Sequence, residues 1–295
     1  MNLEQAKKQF NDILEKINAY NHSRSLMYWD SATGAPKKAV DNRSKIQGVL
    51  AGEVFKLTVS DDMKECLGVL EKESDKLDKI TNAMVKEMRK EYSNLTKIPA
   101  EEYREYAELL GKSNMMWEEA KNKSDFSIFE PFLEKIIGML RKFVEYRGYT
   151  GHPYNTLLDD YEPGMTTEKL DEFFGALKER IVPLVKKIQN SDKVIQTDFL
   201  SESYSTKKQE EFSHYLLDKI GFDKDAGMLK ESEHPFTINF TRNDVRITTH
   251  YFENKFSSAI YSTIHEGGHA IYEQNIGEDI AETILGTGTS MGIHE

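Results

Sequence analysis

Apolar residues recur every three or four positions along the first 230 residues, which is the spacing of amphipathic helices. These runs predict helices at residues 3–17, 37–57, 61–74, 76–95, 100–122, 126–147, 166–190 and 206–220. Pro99 supports one of these starts, because a proline in the first turn of a helix loses no hydrogen bond. A stretch rich in glycine, proline and tyrosine, residues 148–164, is predicted to be a loop.

The pattern changes at His234, where β-prone segments replace the helical spacing. Residues 236–240 are apolar, residues 244–252 alternate in polarity, and residues 241–243 can turn between them, which predicts a β-hairpin. Residues 256–273 return to helical spacing. The fold is therefore predicted to be mainly α, with a small hairpin before the last long helix. No repeat or linker interrupts the chain, so we expect a single domain over 1–295, divided into a helical region at 1–230 and a second region at 231–295.

The last predicted helix contains His265-Glu266-Gly-Gly-His269, which fits the HExxH pattern. Residues four positions apart share a helix face, so the two imidazoles can bind one zinc ion. Glu266 is next to these ligands and can take a proton from a water that the ion activates. Gly267 and Gly268 each cost a helix about 1 kcal/mol relative to alanine, which indicates close approach of another group. The alternative is an amphipathic helix with two core or solvated histidines.

A catalytic zinc ion needs a third protein ligand and one open position for water. Three downstream glutamates can supply that ligand: Glu278, Glu282 and Glu295. Glu282 is nearer to the two histidines, whereas Glu295 follows a glycine-rich turn at residues 286–292. Spacing alone does not choose among them.

Composition excludes several classes of protein. The net charge of −11 argues against a nucleic-acid partner, which requires a basic surface. No apolar run approaches the roughly 18 residues of a membrane helix, and the first 20 residues lack the apolar core of a signal peptide. The one cysteine, Cys66, is interpreted as an apolar helix residue, and its isolation favours a reducing compartment such as the cytoplasm.

Seven motifs follow one another along the chain. They are Trp29-Asp30 with Thr33 and Pro36, Asp125-Phe126 with Phe129 and Pro131, Leu157-Leu158-Asp159 with Tyr161-Glu162-Pro163-Gly164, His234-Pro235-Phe236, Asp244-Val245-Arg246-Ile247-Thr248-Thr249, the HExxH segment, and Gly292-Ile293-His294-Glu295. In this order they resemble the carboxypeptidase Taq family of metallocarboxypeptidases. The last four resemble the HPF, DxRxT and HExxH segments of that family and the start of its GIHES segment. The resemblance spans essentially the whole chain.

The resemblance implies that Glu295 is the third metal ligand, beside His265 and His269. It also implies an elongated helical fold around a groove, often as a homodimer, with one zinc ion per chain or cobalt in some members. The implied activity is removal of C-terminal residues from peptides that have a free C-terminus. Family members continue past GIHES to IRxxADxP and GxxQDxHW motifs, so we expect this chain to be the N-terminal part of such an enzyme.

Four further residues are candidates for substrate binding or for support of the metal ligands. Arg246 can bind a substrate carboxylate with two hydrogen bonds, or form a structural salt bridge. Asp244 can orient a ligand histidine, or end a strand. His234 can line the groove or pack at the surface, and Thr248 can contact substrate or be an ordinary strand residue.

Two other functions compete with this interpretation. A zinc oligoendopeptidase would use the same HExxH residues but would not need a free C-terminus on its substrate. A catalytically incomplete helical fragment would fold, or form a dimer, and would perform no chemistry. Cleavage of peptides with free and blocked C-termini distinguishes the three.

Overall fold

The computed structural model describes residues 1–295, apart from the side chain of Ser201. Over these residues it contains nine α-helices, then three strands and two further α-helices. The helices are α1 (Leu3–Thr33), α2 (Val40–Thr58), α3 (Asp61–Lys72), α4 (Lys79–Leu95), α5 (Ala100–Lys123), α6 (Glu130–Arg147), α7 (Asn155–Tyr161), α8 (Thr167–Gln189), α9 (Thr206–Ile220), α10 (Phe256–Gln274) and α11 (Met291–His294). The strands are β1 (Gly227–Glu231), β2 (Thr237–Thr241) and β3 (Asp244–Thr249). The prediction of a mainly α fold is confirmed.

The largest apolar core lies among α1, α2, α3 and α4. Phe10 of α1 and Leu67 of α3 are fully buried in it, and Val85 of α4 is 2% exposed. Side-chain caps fix where these helices begin, because Asn2, Ser60 and Asp78 each accept a hydrogen bond from a backbone N–H of the first turn. Cys66 is fully buried in the same core, as expected for an apolar helix residue.

The predicted helices are present, with two departures. The first helix continues from the predicted end at residue 17 to Thr33, because the chain meets no breaker before Gly34. The predicted loop at 148–164 is wrong in its middle, where α7 forms seven residues of helix. Asp159 then accepts the backbone N–H of Gly164 at 2.8 Å and closes the turn that follows α7.

The predicted hairpin is confirmed, but it belongs to a sheet of three strands in the order β1–β3–β2. β2 and β3 pair antiparallel through the turn at Arg242 and Asn243, and β1 pairs parallel with the other side of β3. β1 begins at Gly227, so the first strand starts within the region 1–230 that is predicted to be helical. Val245 and Ile247 of the central strand are fully buried, as their alternation predicts.

The helix α10 packs against both β3 and α9. Leu217 of α9, Ile247 of β3 and Ala270 of α10 are fully buried in one cluster at this contact. The helix that carries the HExxH motif is therefore fixed on two sides. None of the described helices is long and apolar enough to cross a membrane.

Candidate metal centre

Three side chains that the sequence predicts as metal ligands converge at the end of the chain. The ring nitrogens Nε2 of His265 and His269 are 3.1 Å apart. The Oε2 atom of Glu295 is 3.6 Å from the first of these nitrogens and 3.8 Å from the second. At this distance the two imidazole nitrogens can bind a common cation.

The donor set fits a zinc ion in both chemistry and spacing. Two imidazole nitrogens and one carboxylate oxygen form a known catalytic zinc set. Tetrahedral zinc with bonds of about 2.0–2.2 Å separates its donor atoms by about 3.3–3.6 Å, and the observed separations of 3.1, 3.6 and 3.8 Å bracket that range. The His265 side chain is 54% exposed and that of His269 is 10% exposed, so the centre opens to solvent on one side.

The other glutamates that spacing allowed as third ligands lie elsewhere. Glu278 is 90% exposed in its side chain and faces Arg242 at 3.6 Å. Glu282 lines a cavity of about 890 Å³ between α1 and the chain segment 281–287. The three converging donors are thus those that the family resemblance implied.

Glu266 points from α10 toward the sheet and is 7% exposed. The hydroxyl of Thr237, the first residue of β2, lies 2.7 Å from Glu266 Oε2 and 3.0 Å from the Glu266 carbonyl oxygen. Because a hydroxyl carries one proton, it donates to one of these acceptors at a time. Sequence reasoning missed Thr237, although it directly follows the His234-Pro-Phe236 motif.

A buried polar cluster lies behind the two histidines, and sequence reasoning missed its centre, Glu273. This side chain is 4% exposed, and burial raises its pKa to about 7. Asn239 of β2 donates to Glu273 Oε2, while Oε1 lies 3.3 Å from Nε2 of His294 in a polar contact that is not an aligned hydrogen bond. Burial lowers the pKa of His294. A glutamate four positions after His269 on a packed helix is the signal that could have identified it.

His294 is not part of the converging donor set. Its ring packs at 4.5 Å from the ring of His269 and 5.0 Å from that of Tyr272. The backbone N–H of Gly292, two positions earlier, donates to Glu162 Oε2 at 2.8 Å. Both ends of the short helix α11 therefore contact side chains from other parts of the fold.

Arg246 and Asp244 form a bidentate pair, with N–O distances of 2.8 and 2.7 Å. The guanidinium also lies over the rings of Phe240, at 4.7 Å, and Trp29, at 5.6 Å. Its hydrogen-bonding edge therefore already faces a protein carboxylate. Of the two roles considered for Arg246, this geometry favours the structural salt bridge.

Thr248 is fully buried. Its hydroxyl accepts the backbone N–H of Phe236 at 2.9 Å and the Ser232 hydroxyl at 2.7 Å, which fixes the segment that leads into β2. His234 is exposed in that segment and packs edge-on against Trp117 at 6.0 Å. These contacts favour a structural role for Thr248 and a surface packing role for His234.

The two glycines of the HExxH segment have different surroundings. A Cβ atom on Gly267 would lie 2.5 Å from Ile220 Cδ1 and 3.0 Å from Leu217 Cδ2, so the glycine allows α9 to approach closely. A Cβ on Gly268 would meet no atom within 4 Å. The close approach that the sequence predicts is therefore present at the first glycine and absent, within the described residues, at the second.

Comparison with known proteins places this chain in a family. The profile of the carboxypeptidase Taq (M32) metallopeptidases matches residues 9–295. The chain belongs to the carboxypeptidase Taq (M32) family. Carboxypeptidase 1 of Bacillus subtilis is 46% identical over the whole chain, which covers 59% of that relative. Thermostable carboxypeptidase 1 of Pyrococcus furiosus is 36% identical over 95% of the chain and 56% of the relative.

Solved structures of M32 proteins agree with this fold. The crystal structure named BsuCP superposes with a TM-score of 0.96 at 46% identity, over 98% of this chain and 58% of the other. The M32 carboxypeptidase of Deinococcus radiodurans gives a TM-score of 0.85 at 30% identity, with the same shares of each chain covered. The chain thus spans less than two thirds of the length of the M32 proteins that it matches.

Proposed function

We propose that the protein is a metal-dependent carboxypeptidase that releases amino acids one at a time from the C-terminus of peptides. The observation that carries this proposal is the convergence of His265, His269 and Glu295 in a chain of the M32 family. Glu266 follows the first of these ligands in α10. The relatives in Bacillus subtilis and Pyrococcus furiosus are named carboxypeptidases. Their names support exopeptidase over endopeptidase activity.

We propose zinc as the ion, because imidazole and carboxylate donors at these separations suit it, although cobalt accepts the same ligands. When bound, zinc would act as a Lewis acid that polarises the scissile carbonyl, and it would lower the pKa of its bound water to about 7. Isothermal titration of the metal-free protein with Zn²⁺ and Co²⁺ tests this choice. A stoichiometry of one ion per chain is expected, and Glu295→Ala should weaken binding of either ion.

Glu266 moves the proton in the proposed reaction. Its carboxylate takes a proton from the attacking water and then delivers it to the nitrogen of the leaving amino acid. The Thr237 hydroxyl lies 2.7 Å from Oε2 and orients the carboxylate when it donates to this atom. Glu266→Gln is expected to retain zinc and lose turnover, and unchanged turnover would contradict the role.

A pair of peptides that differ only at the C-terminus tests the activity. The protein is incubated with zinc and either a free or an amidated peptide, and the products are weighed by mass spectrometry. A ladder of shortened products from the free peptide alone supports a carboxypeptidase, and Glu266→Gln is the matched control. Internal cuts in both peptides favour the oligoendopeptidase. No cleavage by a zinc-loaded protein favours the catalytically incomplete fragment.

We propose further that the protein acts in the cytoplasm and forms a homodimer. The cytoplasmic location rests on the lone cysteine, Cys66, since a single cysteine forms no disulfide within the chain. Cys66 is buried in α3, and this burial raises the pKa of its thiol. The homodimer rests on resemblance to the family. Sedimentation of the purified protein measures the mass in solution, and a mass of 34.0 kDa would be that of a single chain.

A further inference from the structure

The proposed third ligand, Glu295, directly follows α11 (Met291–His294). Its side chain is 52% exposed, so burial does not fix its position. Two contacts join α11 to other parts of the fold, one near each end of the helix. These contacts therefore bear on where Glu295 lies relative to the two histidines.

One such contact comes from Glu162, 130 positions earlier in the chain. Its Oε2 accepts the backbone N–H of Gly292 at 2.8 Å, within the first turn of α11. A Cβ atom at position 292 would lie 2.6 Å from the same oxygen, so only glycine permits this approach. The carboxylate also satisfies an N–H of the first turn, which has no partner within the helix.

The second contact comes from Glu273 on the helix of the two histidines. Its Oε1 lies 3.3 Å from Nε2 of His294, the residue before the third ligand. Asn239 holds the other oxygen of Glu273, and the same amide lies 3.4 Å from the carbonyl oxygen of Gly286. The His294 ring is thus enclosed by the carboxylate and by the rings of His269 and Tyr272. A shift of this ring would shift Glu295 with it.

We propose that Glu162 and Glu273 are positioning residues for the third metal ligand, which fix the two ends of α11 so that Glu295 meets His265 and His269. This inference rests on the metal centre proposed above. Neither glutamate is itself a donor. Loss of a group that orients a metal ligand typically weakens metal binding 10- to 100-fold, and we expect a loss of that size from each alanine substitution.

Zinc affinity of the intact protein, measured by competition with a chromophoric chelator, tests the proposal without any need for catalytic activity. Glu162→Ala and Glu273→Ala are expected to weaken binding by about 10- to 100-fold. Glu162→Gln should restore most of the affinity, because the amide oxygen can still accept the Gly292 N–H. Glu278→Ala is the matched control. This exposed glutamate lies between α10 and α11, and Arg242 is its only partner among the described ion pairs.

Repeating both substitutions in a Glu295→Ala background separates positioning from a general effect on folding. If the two glutamates act through the third ligand, neither Glu162→Ala nor Glu273→Ala will weaken zinc binding further once that ligand is removed. An equal loss in both backgrounds would overturn the proposal, because it would mean that the substitutions act on the histidines or on the fold. If Glu273→Ala does not fold, Glu162→Ala alone provides the same test, because the contact that it removes is exposed.

Failure of this inference differs from failure of the metal centre itself. If the unsubstituted protein does not bind zinc, both the proposed metal centre and the positioning roles are contradicted. If the unsubstituted protein binds zinc, and the zinc affinities of Glu162→Ala and Glu273→Ala equal that of the Glu278→Ala control, only the positioning roles are overturned.

Discussion

Gly267 and Gly268 provide a matched pair of alanine substitutions that should change stability in opposite directions. Both glycines lie inside α10, between the same two histidines. A methyl group at Gly267 would meet the side chains of Leu217 and Ile220, whereas one at Gly268 would meet open space. The pair therefore tests whether α9 packs on this face of the HExxH helix.

The magnitudes follow from two separate effects. Replacing a glycine inside a helix by alanine gains about 0.5–1 kcal/mol of folding free energy. Gly268→Ala should therefore raise the free energy of unfolding by about that amount. At Gly267 the same gain is opposed by overpacking, which costs about 1–3 kcal/mol in a well-packed core. Ile220 can move its terminal methyl, but Leu217 is fully buried and has little room.

Urea denaturation of the metal-free protein, followed by circular dichroism, measures both variants under one set of conditions. Because the helix-propensity gain is common to both, the difference in stability between them isolates the packing effect, and we expect about 1–3 kcal/mol in favour of Gly268→Ala. Equal stabilisation by the two substitutions would refute the close packing of α9 against Gly267. Destabilisation by Gly268→Ala would refute the open space beside that residue.

Three further predictions concern the core and the surroundings of the site. Leu67→Ala should lower the free energy of unfolding by about 2–5 kcal/mol in urea melts, because Leu67 is fully buried, while Val49→Ala at a 53% exposed position should change it by less than about 0.5 kcal/mol. Burial raises the folded-state pKa of Glu273 from 4.5 to about 7, so the stability contributed by its bound proton is full below pH 4.5 and is lost as the pH rises through 7. Glu273→Gln should therefore flatten the pH dependence of the melting temperature of the metal-free protein across that window, and an unchanged slope would contradict this. Thr237→Val should lower kcat about 10- to 100-fold at unchanged KM, as a hydrogen bond to a charged group is worth about 1.5–3 kcal/mol, and Thr237→Ser should restore it.

Regular apolar spacing made most of the fold predictable, and the misses have physical causes. The strand β1 carries little apolar alternation because it lies at the edge of the sheet and pairs with β3 on one side only. α7 is too short for a helical period to emerge, and glycine and proline flank it. α1 was predicted too short because residues 18–28 contain few buried apolar side chains. In each case tertiary contacts, not local pattern, decide the structure.

The site was predictable where its residues are close in sequence. His265, Glu266 and His269 follow from helical spacing alone. Glu295 does not, because spacing allowed three glutamates, and only the family resemblance singled it out. The contact of Glu162 with Gly292 joins positions 130 apart, so no local pattern contains it.

The first and third donors of the centre, His265 and Glu295, stand 30 positions apart, with no long helix or strand after α10. The part of this stretch that lies outside α10, residues 275–294, would cost about 3 kcal/mol of chain entropy to close as a flexible loop. In the metal-free protein, contacts within the loop must offset this cost, so local opening should begin there rather than in the helical core. An ion that joined both ends would suppress that opening. Metal loading should therefore slow amide hydrogen exchange at residues 275–294, while exchange in α3 and β3 stays unchanged.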